Sequence, residues 1–209
     1  MATIPQDKLE YIKTLYYRDK ISAAGIASKI GVPLDAVFYF MRKNGLKRRS
    51  ASENNAVVFE RKATSFKPRI KLTQKDRELK TAGVMLYWAE GFKSKNAHHI
   101  DFANSDPNMI MYFLIFLRRI CGVDESRLRV YLYCYSNQDA EELIKFWSRL
   151  TSIPKKQFTK PYVREDFDIR KIDKMKHGLI HIRYHDKKLL ELIRNWINDS
   201  IKEYAQIVP

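Results

Sequence analysis

The spacing of apolar positions divides the chain into three stretches. In the first, Leu9, Ile12 and Leu15-Tyr16 fall on one stripe and predict a helix over Asp7 to Arg18. Ser22 is placed to cap a short helix running through Ile30, and Gly31 breaks it. Pro33 suits the first turn of a third helix over Leu34 to Lys43, with Gly45 at its C-terminal cap. Ile26, Ile30, Val37 and Phe40-Met41 would form the core, and Ala27 would let the two helices approach closely. Over residues 47–72 the periodicity fades and Pro68 interrupts what remains, so residues 50–72 read as a linker. From Thr73 helices and strands alternate. A helix capped by Thr73 runs to about Glu90, with Val84, Met85 and Trp88 expected on its buried face. Strands are predicted over His98 to Asn104, Arg127 to Tyr135, Lys156 to Arg164 and Gly178 to Tyr184. Helices are predicted from Ser105-Asp106-Pro107 through Ile120, over Asn137 to Leu150, and over Asp186 to Ile201.

Charge changes the picture more than composition does. The 209 residues carry a formal net charge of +15, which points to a polyanionic partner, nucleic acid before anionic membrane. Residues 47–80 hold eleven bases against four acids, so the linker could lie along a phosphate backbone. No apolar run reaches the roughly 18 residues of a membrane span; the longest, Met109 to Leu117, is half that and is flanked by charge. The two cysteines, Cys121 and Cys134, have no metal-ligand spacing, and no signal peptide is visible. The expectation is a reduced, intracellular protein of the cytoplasm with no small-molecule substrate.

The helical pair over 22–46 resembles a helix-turn-helix of the resolvase or homeodomain-like kind, through Ile26-Ala27, Ile30-Gly31-Val32, Ala36-Val37, Phe40 and Gly45-Leu46. Its outward side would carry Asp35, Tyr39, Arg42 and Lys43, with Arg48 and Arg49 just beyond. In the strand Arg127 to Tyr135 the alternation is strict. Leu128, Val130, Leu132 and Cys134 would face a core, while Arg127, Arg129, Tyr131, Tyr133 and Tyr135 would face outward. In the last strand Ile180, Ile182 and Tyr184 would point inward, leaving His181, Arg183 and His185 opposite. Together with Lys160 these residues form a candidate DNA-binding face, since arginine forks match guanine edges and phosphates. The charged loop before that strand adds Arg170, Lys171, Lys174 and Lys176, diluted by acids. His177, His181 and His185 are four apart, too far along a strand to share one ion.

Gly83 to Gly91, "GVMLYWAEG", resembles the LAGLIDADG motif of homing endonucleases through Leu86, Ala89 and the pair Glu90-Gly91. The resemblance covers roughly residues 73–204. It implies that two such helices pack together through Ala82, Gly83, Leu86 and Ala89, and that a sheet saddle lies in the DNA major groove. It implies further that Glu90 is the catalytic acid and ligand of Mg²⁺ at the scissile phosphate, where the metal would activate water. The chain has one clear motif, so such a site would require a homodimer. The family also includes regulators that keep the fold without cutting.

The expected fold class is therefore α+β: a three-helix helix-turn-helix domain over 1–49, a basic linker over 50–72, and a LAGLIDADG-like mixed α/β domain over 73–209 with a DNA-facing antiparallel sheet. Three functional readings are open at this point. The first is a sequence-specific double-stranded DNA-binding protein, such as a transcriptional regulator. The second is a Mg²⁺-dependent endonuclease acting as a homodimer. The third is an RNA-binding module, for which the tyrosines could stack bases.

Overall fold

The computed structural model describes residues 4–165 and 175–205, and the chain divides into two compact units, Met1–Ala63 and Thr64–Pro209. The first unit is helical. A 3-10 turn, Gln6–Lys8, leads into α1 (Leu9–Lys13), which a π-type turn extends over Thr14–Arg18. Helices α2 (Ala23–Ile30), α3 (Leu34–Lys43) and α4 (Ala51–Arg61) follow. Ile12, Leu15 and Tyr16 pack against Ile26 and Ala27 of α2 and against Val37, Phe40 and Met41 of α3; Ile30 is partly buried at the rim. Ser22 Oγ accepts the Gly25 N–H at 3.0 Å and caps α2. Gly31 ends that helix at φ 70°, a conformation that costs a residue with a Cβ about 1–2 kcal/mol. After three residues the chain enters α3, turned by 110° from α2.

Helix α4 lies where a linker was expected. It has no buried residue, so hydrophobic periodicity could not reveal it. Its start is a capping box: Ser50 Oγ accepts the Glu53 N–H at 3.2 Å, and the Ser50 N–H donates to Glu53 Oε2 at 2.6 Å. Ion pairing of Lys20 with Glu60, and donation from Arg61 Nη2 to the Asp19 carbonyl, tie it to the rest of the unit. Among the described residues no single helix is long and apolar enough to cross a membrane.

The second unit begins with an extended strip, the remainder of the expected linker. Lys67 and Arg69 donate their backbone N–H groups to the Gly122 and Ile120 carbonyls, both at 2.9 Å, and Phe66 pairs with Val123. Gly122 is required there: a Cβ would lie 2.1 Å from the Lys67 carbonyl oxygen. Then come α5 (Gln74–Glu90), β1 (Ile100–Asn104), α6 (Pro107–Phe116, extended by a π-type turn over Leu117–Cys121), β2 (Leu128–Tyr135), α7 (Ala140–Thr151), β3 (Tyr162–Arg164), β4 (Leu179–Tyr184) and α8 (Lys187–Ala205). The four strands form one sheet in the order β1-β4-β2-β3.

Strand β4 is antiparallel to both β1 and β2, but β3 runs parallel to β2, so the sheet is mixed rather than antiparallel. The cause is α7, which carries the chain back across the sheet between β2 and β3. The strand expected over Lys156 to Arg164 shortens to three residues. Pro154 starts a 3-10 turn (Lys155–Gln157), and Pro161 offers no N–H to a ladder. Ile100, Phe102, Leu128, Val130, Leu132, Cys134, Ile180, Ile182 and Tyr184 face a core to which α5, α6, α7 and α8 all contribute. On α5 the buried side is Asp76, Gly83, Val84 and Tyr87. Met85 is only partly buried and Trp88 is 45% exposed, so the expected buried stripe is rotated by part of a turn.

Candidate nucleic-acid interface

Burial of Val37, Phe40 and Met41 forces the opposite side of α3 into solvent. Asp35, Tyr39, Arg42 and Lys43 are all exposed there, as is Arg48 beyond the helix. The Arg42 guanidinium leans over the Tyr39 ring at 5.8 Å, and that of Arg48 stacks on Phe38 at 4.0 Å. Arg49 departs from the expected role. Its guanidinium covers the Tyr16 ring at 4.3 Å and donates to the Lys20 and Ile21 carbonyls at 3.0 and 2.6 Å, while its backbone N–H donates to Tyr16 Oη at 2.8 Å. It is a staple within the first unit, because both terminal nitrogens donate to backbone carbonyls.

In the second unit the face of the sheet away from the helices collects polar and aromatic side chains. Register aligns Asp101, Arg183 and Arg129 in one row and Ala103, His181 and Tyr131 in the next, with Tyr133 beside Tyr162. The Arg183 guanidinium lies 4.0 Å over the Tyr131 ring. The Tyr133 ring lies 4.9 Å from that of His181 and 5.3 Å from that of Tyr162. Leu128, Val130, Leu132, Ile180, Ile182 and Tyr184 are thus buried as expected, and Arg129, Tyr131, Tyr133, His181 and Arg183 lie on the opposite face, half-buried rather than fully exposed. Three predicted members behave differently. Arg127 lies ahead of β2 and donates to the His185 carbonyl at 2.8 Å, and Arg129 Nη1 donates to the Ser126 and Leu128 carbonyls, both at 2.7 Å. Tyr135 is 7% exposed, because the strand ends there in a turn that Gln138 closes on its backbone. Lys160 is exposed beside β3; Arg170, Lys171 and Lys174 lie outside the described residues.

The organising residue of this face is one the sequence reading passed over. Asp101 on β1 is 6% exposed. Its Oδ2 accepts from Arg183 Nε at 2.6 Å and its Oδ1 is 2.8 Å from His181 Nδ1. Burial alone would raise its carboxyl pKa, but the His181 hydrogen bond and the charges of His181 and Arg183 outweigh that and hold it below the ordinary value. With the carboxyl ionised, His181 Nδ1 is the donor. His99 approaches the same carboxylate at 3.9 Å and stacks on His185 at 4.7 Å, and burial followed by the neighbouring His185 depresses the His99 pKa. The signal was present: Asp101 lies between inward Ile100 and Phe102, so alternation alone puts an acid on the basic face.

No protein-family model, curated protein or solved structure matches the chain.

Glu90 ends α5 and is exposed, and its carboxylate makes no hydrogen bond or ion pair among the described residues. Gly91 follows it directly into the sheet layer, pairing with Phe102 of β1. Of the residues expected between two copies, Gly83 instead meets its own chain: a Cβ there would lie 2.2 Å from the Phe116 ring. Leu86 packs against the core, Ala82 is half-buried and Ala89 is exposed. Among the described residues no group of three or more His, Cys, Asp or Glu could hold a metal ion. Glu90 would be one ligand of an incomplete set in a single chain. The three spaced histidines have separate surroundings: His177 stacks on Phe146 at 4.0 Å, His181 meets Asp101, and His185 stacks on His99.

Proposed function

We propose that the chain is a sequence-specific double-stranded DNA-binding protein with a helix-turn-helix in its first unit. The observation that carries this reading is the pair α2–α3: two helices at 110°, a three-residue turn containing a left-handed glycine, and an outer face of α3 with its polar side chains in water. A major groove about 12 Å wide admits such a helix. In this reading Tyr39 and Arg42 reach base edges, Asp35 accepts from a base amine, and Lys43 and Arg48 neutralise phosphates. The net charge of +15 and the arginine- and tyrosine-bearing sheet face support a second contact surface on the same polyanion. The test is a selected duplex and two variants, Tyr39→Ala and Arg42→Ala. Each should lose ~1–3 kcal/mol of specific binding with the fold intact. Wild-type affinity in both would remove α3 from the interface.

A second reading, a homodimeric Mg²⁺-dependent endonuclease with the resemblance to LAGLIDADG proteins extended to activity, is favoured by one observation. Glu90 is a free carboxylate at the end of a long helix, followed at once by a glycine that enters the sheet layer. Such a site would draw a second Glu90 from another copy, and Mg²⁺ bound there would supply a polarised water. Glu90→Gln should then abolish divalent-dependent cleavage and leave DNA binding unchanged. Wild type that cuts no duplex with any divalent ion leaves the binder reading alone.

A further inference from the structure

We infer that Asp101 is a positioning residue that sets the Arg183 guanidinium to read guanine from the free face of the sheet, an inference that rests on the DNA-binding reading above. Arginine has five N–H donors in one plane. In Arg183 Nε donates to Asp101 Oδ2 at 2.6 Å, Cζ lies 4.0 Å over the Tyr131 ring, and the Tyr131 side chain is a further hydrogen-bond partner. Carboxylate and tyrosine together hold the group from two sides. The terminal Nη edge is the part the carboxylate does not occupy. A guanidinium presented in this way matches the paired acceptors O6 and N7 of guanine in the major groove.

Two features favour a base over a phosphate as its target. Asp101 cancels the charge of Arg183, which weakens the long-range pull of a phosphate but leaves directional hydrogen bonding intact. Asp101 is also buried, so it holds Arg183 without itself approaching the DNA anion. The other arginines at this end of β2 are not so disposed: Arg127 and Arg129 are turned onto backbone carbonyls. Ordering an arginine side chain at the moment of binding costs rotamer entropy, and the pair Asp101 and Tyr131 has it ordered beforehand.

The test uses the full chain, a duplex library with randomised positions, and the variants Asp101→Asn, Arg183→Ala and Arg183→Lys. Wild type should select guanine at a position whose preference Arg183→Ala and Arg183→Lys both abolish. Affinity for the preferred duplex should fall about 10- to 100-fold in Arg183→Ala, with no further loss when that guanine is also replaced. Asp101→Asn should reduce the guanine preference several-fold while binding to unrelated duplexes holds or tightens, because the Arg183 charge is no longer cancelled; a merely structural role would not produce that split. If Asp101→Asn does not fold, Asp101→Glu, which keeps the charge and displaces the carboxylate, takes its place and should show the same loss of guanine preference. A guanine preference that survives in the Arg183 variants, or that stays at the wild-type level in folded Asp101→Asn, overturns the inference. So does an equal loss on every sequence with a salt slope reduced by about one, the mark of a phosphate contact. Both of those outcomes leave the DNA-binding reading standing, whereas a wild-type chain that binds no duplex removes that reading itself.

Discussion

The outer side of α3 and the free face of the sheet both present arginine and tyrosine, and they hold them in different ways. On α3, Arg42 leans loosely over Tyr39 at 5.8 Å, and Lys43 projects into water. On the sheet, Arg183 is gripped by a carboxylate at 2.6 Å and a ring at 4.0 Å. Side-chain entropy is therefore lost at different times: on binding for α3, and on folding for the sheet. The loose face suits adjustable contact with a charged backbone, and the fixed face suits geometric discrimination. Fixing side chains also makes them part of the stability of the unit, so the two faces should respond differently to substitution.

The largest effect should come from Asp101→Ala. It leaves the Arg183 and His181 donors without their acceptor and should cost roughly 2–3 kcal/mol, less than a fully buried pair because Arg183 keeps some water. Arg42→Ala should change stability by no more than about 0.5 kcal/mol. Urea denaturation compares them, and equal values would erase the distinction between the faces. Next is Arg49→Ala, which loses two hydrogen bonds to carbonyls and the cover over Tyr16. About 1–2 kcal/mol should go, which would make Arg49 the residue of the first unit that behaves as the sheet arginines do.

A smaller effect follows from pH. The folded Asp101 carboxyl titrates below its unfolded value of about 3.9. Its contribution is therefore full above that pH and is lost as pH falls through the folded value. His99 is also depressed, from an ordinary value of about 6.5, so its contribution declines as pH falls below that value. Urea midpoints between pH 8 and 3 should fall in two stages, and Asp101→Asn should make the lower one shallower, the remainder coming from Asp76, Asp124 and Asp186, whose carboxyls are also held below the ordinary value by their hydrogen bonds. The smallest effect belongs to Lys43→Ala: the log–log salt slope of duplex binding should drop by about 0.9 with base preference unchanged. A changed preference would show that α3 holds Lys43 as firmly as the sheet holds Arg183.

Where apolar side chains alternate or recur, the sequence was readable. The strand Arg127 to Tyr135 appears as β2 with its buried residues on the expected face, and the Thr73 cap starts α5. Helix α4 was missed because it buries nothing, although the Ser50 and Glu53 capping box was in view. The parallel strand β3 depends on a crossover that no local pattern announces. Of the candidate interface, the exposed residues were legible because burial of their neighbours fixes where they point. What they hold was not: Arg49, Arg127 and Arg129 meet backbone carbonyls distant in sequence or hidden by a turn, and Asp101 acquires its meaning from β4, some eighty residues away.

The strip ahead of α5 decides where the protein can be divided. Ser65 Oγ donates to Asp186 Oδ2 at 2.7 Å, Tyr184 Oη donates to the Ser65 carbonyl, and Lys67 and Arg69 are laced to the turn after α6. A fragment that starts at the helix cap, Thr73, would leave Asp186 and the buried Tyr184 hydroxyl without these partners and would lose Phe66 from the core. One that starts at residue 64 keeps all of them. Limited proteolysis should accordingly nick the chain between Arg61 and Thr64, and the surviving C-terminal piece should retain residues 64–72 as its first, protected edge.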